Sequence, residues 1–140
     1  MNDNIIISLN RERFDLDWMA CRIHFSHWGG WIPISKIKVA LENSLLFGAF
    51  DITKGARKEN MVGFLRVVTD RASFSSITDV IVTPEYQRRG IGTMLLKRAV
   101  SHYWVNGTIC VLHANPHLTK FYENAGFKVE KNGIMMRVPV

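Results

Sequence analysis

The stretch best equipped for chemistry is Asp79-Val80-Ile81-Val82-Thr83-Pro84-Glu85-Tyr86-Gln87-Arg88-Arg89-Gly90-Ile91-Gly92-Thr93. An apolar strand runs into Pro84, a glycine-containing loop follows, and a helical pattern opens at Ile91. The first N–H groups of such a helix have no partners within it and together carry about half a positive charge. Arg88 and Arg89 add full charges beside them, and Gly90 and Gly92 remove side chains that would hold a ligand off the backbone. These are the parts of an anion site suited to a phosphate or pyrophosphate. The same residues also suit a plain strand–turn–helix connection whose glycines serve only the turn. Two other phosphate loops are excluded. Thr93-Met94-Leu95 supplies no third glycine for the dinucleotide pattern, and no Gly-Lys-Ser/Thr is present for a P-loop.

The elements that must hold this segment follow from the apolar periodicity. Ile5 to Leu9 reads as a first strand. Asp15 or Asp17 caps a helix that reaches about His24 and carries Trp18 and Cys21 inward. Pro33 opens a second helix, with Ile34, Ile37 and Leu41 on one face. Leu45–Ile52, Met61–Thr69 and Ile77–Val82 read as three strands, and the hydrophilic run from Lys54 to Asn60 as a loop between two of them. Ile91, Met94, Leu95, Ala99 and Tyr103 then form one helical face. Thr108 to Ala114 is nearly continuous in apolar residues, as in a strand covered on both faces. Asn115-Pro116 starts a further helix that Gly126 ends, and Phe127–Val129 with Ile134–Val138 predicts a hairpin around Asn132-Gly133. The expected order is β-α-α-β-β-β-α-β-α-β-β, an α/β (α+β) fold on a mixed central sheet. At 140 residues the chain is expected to be one domain, residues 1–140.

Composition narrows the classes. Hydrophobic residues make up 47% and charged residues 21%, values of a globular chain and not of a disordered one. Eighteen Lys and Arg against twelve Asp and Glu leave a formal charge of +6, which suits an anionic partner. No apolar run is long enough for a membrane-spanning helix, and the N-terminus lacks the pattern of a secretory signal. Cys21 and Cys110 stand alone, so a reducing, cytoplasmic setting is the expectation. His24, His27, His102 and His117 lack ligand-like spacing, and no metal is expected.

Gln87-Arg88-Arg89-Gly90-Ile91-Gly92 resembles the Q/R-x-x-G-x-G/A acetyl-CoA loop of the GNAT superfamily of N-acetyltransferases. Asn115-Pro116-His117-Leu118-Thr119-Lys120-Phe121-Tyr122-Glu123-Asn124-Ala125-Gly126-Phe127 resembles its second signature, N-x(6)-Y-E-x-x-G-F, one helix and one strand further on. The element order is that family's too. Ser26-His27-Trp28, Asn43-Ser44 and the run Gly63-Phe64-Leu65-Arg66-Val67-Val68-Thr69-Asp70 are similar to a subgroup of small bacterial members.

The resemblance implies roles. The backbone of Val80, Ile81 and Val82 would pair with the pantetheine arm of acetyl-CoA, and an amide there would polarise the thioester carbonyl. Backbone N–H groups from Arg88 to Thr93, including those of Arg89, Gly90, Ile91 and Gly92, would hold the pyrophosphate. Asn115 would bond the pantetheine arm. Tyr122 would face the departing sulfur as general acid, since a phenol with a pKa of about 10 stays protonated at neutral pH. A core aromatic beside Phe121 is the alternative for Tyr122.

The acceptor side carries less signal. Deprotonating an alkylamine of pKa about 10.4 at pH 7 costs about 4–5 kcal/mol, so a base would help. Family members often keep an acid on the strand before the second signature, where this chain has Cys110. Asp79, Asp70 and His113 are the remaining candidates, and Cys110 itself reads as a small hydrophobe. Trp28, Trp31, Phe47 and Phe74 are the candidate lining of an acceptor cleft, with core packing as the alternative. The expected partners are acetyl-CoA and a small primary amine, or a peptide amine, with neither nucleic acid nor membrane, in a monomer or homodimer. Two other readings compete: an acyl-CoA sensor without turnover, favoured by the missing strand acid, and a nucleic-acid binder, prompted by the charge. The basic residues are too scattered to favour the latter.

Overall fold

The computed structural model describes residues 3–54 and 60–139. Most of the loop expected at Lys54–Asn60 therefore lies outside the described residues. The chain order is β1 (Ile5–Ser8), α1 (Leu16–His24), α2 (Ile34–Glu42), β2 (Leu45–Asp51), β3 (Met61–Thr69), β4 (Phe74–Val82), α3 (Ile91–Ser101), β5 (Ile109–Val111) and α4 (Thr119–Asn124). The five strands form one sheet in the order β1-β2-β3-β4-β5. β1 to β4 pair antiparallel, and β5 joins β4 in parallel.

Helices cover both faces of this sheet. Met19, Ala20 and Ile23 of α1 and Ile37 and Leu41 of α2 pack on Leu46, Phe50, Met61 and Phe64. On the other face Ile91, Leu95, Leu96 and Ala99 of α3 pack on Phe47, Ala49, Val62, Leu65 and Val67. Alternation along the strands sends Leu46 and Phe47 to opposite layers, which is why β2 and β3 read as nearly continuous apolar runs. Asp15, and not Asp17, caps α1: its Oδ1 accepts from the Trp18 N–H at 3.0 Å.

Four expectations need correction. The Thr108–Ala114 run is not a strand covered on both faces: β5 spans only Ile109–Val111 at the end of the sheet, with Ile109 and Val111 exposed. Cys21 is exposed, because α1 buries the Met19–Ile23 stripe instead. Tyr103 lies beyond the end of α3 at Ser101 and is exposed. The C-terminal hairpin is absent among the described residues: Phe127 to Pro139 forms no strand. The Asn132 N–H donates to the Glu130 side chain at 2.9 Å, a local bond in place of a ladder bond. Ile134, Met136 and Val138 are more than four-fifths exposed, so the segment lacks the packed apolar face that a hairpin needs. Gly126 does end α4 as expected, at φ 100°, with the Phe127 N–H returning to the Tyr122 carbonyl at 3.1 Å.

Candidate active site

The site begins with a slip in the ladder between β3 and β4. Phe64 pairs with Ile81 and Arg66 with Thr78, so Asp79 and Val80 together oppose Leu65. This is a β-bulge, and Asp79 takes the left-handed conformation at φ 55°. Aspartate tolerates that conformation better than most residues because its short polar side chain finds local partners. Beyond the bulge β4 has lost its other neighbour. β5 pairs only with Phe74, Ser75 and Ser76. The outer edge of β4 from Ile77 to Val82 thus faces no strand among the described residues, leaving main-chain groups to which an extended ligand arm can add. Val80, Ile81 and Val82 all lie on that stretch.

The loop that follows is set by short contacts. Pro84–Tyr86 makes one 3-10 turn, and the Tyr86 hydroxyl donates to Asp51 Oδ2 at 2.6 Å. That bond holds the Asp51 carboxyl down at about 2 and raises the Tyr86 phenol. The Gln87 amide donates to the Val82 carbonyl at 2.9 Å, so its side chain braces the loop itself. Arg88 and Gly90 are both left-handed, at φ 63° and 81°. Gly90 is the N-cap of α3, which has no side-chain cap. The first helical bond runs from the Met94 N–H to the Gly90 carbonyl at 3.0 Å. The N–H groups of Ile91, Gly92 and Thr93 precede it and stay without a helical partner. Gly92 has a packing reason as well: a Cβ there would lie 2.9 Å from the Phe121 ring of α4. Arg89 stacks over the Tyr86 ring at 4.8 Å. Open strand edge and uncapped helix start follow one another along the chain and fit an acyl-CoA: one for its extended arm, the other for its phosphates.

α4 brings Tyr122 into this half of the molecule by packing on the start of α3. Tyr122 is half-buried, edge-on to Phe121 and Phe127 at 4.9 and 6.3 Å. Burial pushes its phenol above the ordinary 10.0, and its hydroxyl makes no hydrogen bond among the described residues. Asn115 Oδ1 accepts from the His117 N–H at 3.0 Å and caps the turn before α4. His113 is exposed beyond the end of β5. Cys110 is partly buried, which raises its thiol, as suits a packing role.

The other side of the bulge is built from side chains. Asp79 is buried: its Oδ1 accepts from Trp28 Nε1 at 2.7 Å and its Oδ2 from Arg66 Nε at 2.8 Å. Arg66 Nη1 also donates to Ser44 Oγ at 3.2 Å. Among the predicted residues, the fold thus joins Trp28 to Asp79. Trp31 sits in the same connection between α1 and α2, two-thirds exposed. Asp70 is committed elsewhere. Backbone N–H groups of Ala72, Ser73 and Phe74 and the Ser73 hydroxyl all donate to it, which holds its carboxyl far below the ordinary range and shapes the β3–β4 turn.

Two expectations fail on geometry. Phe47 is fully buried under α3 and cannot line an open cleft. Phe74 is exposed at the far end of β4, five residues before the bulge, roughly 16 Å away at about 3.3 Å per residue. Sequence reasoning missed Arg66 and Ser44 as site residues. Their only signal was membership of runs similar to the bacterial subgroup, and no spacing rule links positions 28, 44, 66 and 79.

The acetyltransferase (GNAT) domain family matches residues 46–129. An uncharacterised N-acetyltransferase of Gracilaria tenuistipitata var. liui is 30% identical over 109 residues, covering 75% of this chain and 59% of that protein. A histone acetyltransferase of Glycine max is also 30% identical, over 73% of this chain and 47% of its own. The chain thus spans about half to three-fifths of the curated relatives it matches. In three dimensions it superposes on a GNAT-family protein of Xanthomonas campestris pv. campestris with a TM-score of 0.82. That match is 24% identical and covers 96% of this chain and 93% of the other.

Proposed function

The chain belongs to the GNAT acetyltransferase family, and from that premise we propose that it moves an acetyl group from acetyl-CoA to a primary amine by direct attack in a ternary complex. The observation that carries this reading is the open edge of β4 leading straight into the uncapped N-terminus of α3. The pantetheine arm lies along Val80, Ile81 and Val82 as an added strand. An amide of that edge donates to the thioester oxygen as it gains charge, a kind of contact whose removal typically costs about 3–4 kcal/mol of barrier. The N–H groups of Ile91, Gly92 and Thr93, with Arg88 and Arg89, hold the pyrophosphate, and Asn115 holds the arm.

In the reaction the neutral amine attacks the carbonyl carbon, a C–N bond forms and the C–S bond breaks. Tyr122 gives its proton to the departing thiolate. Its burial supports this role, because a phenol raised above 10.0 is fully protonated at neutral pH. The amine must lose a proton, and the bonding of the candidate bases supports a choice among them. Both oxygens of Asp79 are already engaged and Asp70 is bound into a turn, so these two are anchors. His113 makes no hydrogen bond or ion pair among the described residues and is the base candidate. An α-amine of pKa about 7.7–8.0 needs only about 1 kcal/mol to become neutral at pH 7, against about 4–5 for an alkylamine. The reading therefore favours acceptors of low basicity.

The occupied carboxylates also favour a second reading, an acyl-CoA sensor without turnover. One assay separates the two. The protein is mixed with acetyl-CoA and a panel of amines: amino acid, arylamine, polyamine, aminoglycoside, and peptides ending in a free α-amine or carrying lysine. Free thiol is then followed. Amine-dependent thiol release supports transfer. Binding of CoA by calorimetry without release for any amine supports the sensor, and no CoA binding overturns both.

A further inference from the structure

Trp28, Ser44, Arg66 and Asp79 come from four separate stretches of chain, and the fold gathers them into one bonded line. The Trp28 indole N–H and the Arg66 guanidinium grip the two oxygens of Asp79. Arg66 continues to Ser44 Oγ, which in turn donates to the Ala40 carbonyl at 2.7 Å near the end of α2. The Asp79 side chain is 4% exposed and that of Arg66 19%, so little water competes for these bonds. Trp28 differs from both. It is 41% exposed, with one polar atom anchored at the bulge and much of its ring open to solvent. The connection it belongs to is braced internally: the Gly29 N–H donates to Ser26 Oγ at 3.1 Å, Ser26 Oγ to the Ile23 carbonyl at 2.6 Å, and His24 Nδ1 lies 2.8 Å from the Ile32 carbonyl.

We propose that the Trp28–Asp79–Arg66 line is a latch: it pins the α1–α2 connection to the β4 bulge, and Trp28 is thereby a positioning residue for the acceptor amine. The inference rests on the acetyl-transfer reading. Its physical basis is that one carboxylate joins two surfaces. Asp79 belongs to the strand whose next residues, Val80 to Val82, carry the open edge. Trp28 belongs to the segment that presents exposed aromatic rings, Trp28 and Trp31. With the latch closed, the indole face stands at a set place relative to that edge, so an acceptor packing on it meets the thioester in a restricted set of orientations. Asp79 serves as the shared anchor and does not touch the acceptor.

The test compares wild type with Trp28→Phe, which keeps an aromatic ring and removes the donor, using the acceptor identified by the amine panel. The expected result is a KM for the amine raised at least tenfold, with CoA affinity by calorimetry unchanged within twofold. Hydrogen exchange provides a readout independent of turnover. Amides of Gly29 to Ile32 should exchange at least tenfold faster in the variant, while those of β3 keep their protection. An unchanged amine KM, or CoA affinity lost in proportion to it, overturns the positioning role. Unchanged exchange at Gly29 to Ile32 overturns the latch itself. If wild type transfers to no amine, the acetyl-transfer reading and the positioning role built on it both fall, and exchange alone decides the latch.

Discussion

The two sides of the β4 bulge are built by opposite means. The proposed donor side is backbone: a strand edge without a neighbour, a short turn, and a helix start whose N–H groups are unspent. The proposed acceptor side is side chain: an indole, a carboxylate, a guanidinium and a hydroxyl in series. Backbone groups are the same whatever the residue, so the donor side needs only glycines in place and the right turn. A side-chain network needs particular residues at particular distances, and a single substitution leaves a buried group unpaired. The first arrangement suits a ligand shared by many proteins, and the second an acceptor particular to one.

The largest effect that bears on this contrast is expected from Gly92→Glu. The new side chain would meet Phe121 at its first carbon and set a carboxylate among groups proposed for phosphates. CoA binding should disappear in calorimetry while the CD spectrum stays folded. Retained affinity would move the donor site off this backbone.

Tyr122→Phe comes next. Turnover should fall about 10²–10⁴-fold with CoA affinity kept, the range for losing a general acid. The sign of the pH effect follows from burial. A phenol raised above 10.0 remains the proton-donating form at higher pH, so the wild-type rate should show no alkaline loss from this group below that value. Steady-state kinetics from pH 6 to about 10 checks both statements.

Arg66→Met tests the side-chain half. It leaves the Asp79 carboxylate buried with one partner removed, and breaking such a pair typically costs about 3–5 kcal/mol in urea unfolding. Arg88→Ala on the backbone half should stay within about 0.5 kcal/mol, as exposed substitutions usually do. Equal losses from the two would erase the contrast.

The smallest effect concerns a side-chain brace on the donor side. Tyr86 holds the Asp51 carboxyl at about 2, against an ordinary 3.8. A carboxyl lowered by folding contributes stability that is present above 3.8 and is lost as pH falls through about 2. Tyr86→Phe removes the largest cause, so its stability should decline less than wild type between those values. The group is partly exposed, and the difference in acid unfolding curves should be slight.

The contrast also explains what could be read in advance. Asp79 to Thr93 is one continuous run, and strand, proline, glycine loop and helix start each leave a mark within a few residues. The core helices were legible for the same reason, except where a face had to be chosen. Cys21 lies next to the true stripe of α1, where the partner layer decides which neighbour is buried, and Tyr103 lies past the last turn of α3. Asn132-Gly133 is a genuine turn signal with no sheet to receive it. For Phe47 both core and cleft stayed open in the sequence, because an aromatic in a strand looks the same whichever it faces. Arg66 and Ser44 were invisible as a site, since each is an ordinary polar residue until its partners arrive.

The amino-acid sequence alone determined the elements from β1 to α4, their order, and the glycine loop at the head of α3, because these depend on neighbours within a turn or two of chain. Only the tertiary structure decided that β4 slips at Asp79, that β5 leaves its edge uncovered, and that Trp28 and Arg66 meet on one carboxylate, 51 and 13 positions away along the chain respectively. The reason is physical. Ladder register and buried ion pairs are set by long-range packing that local propensity does not encode.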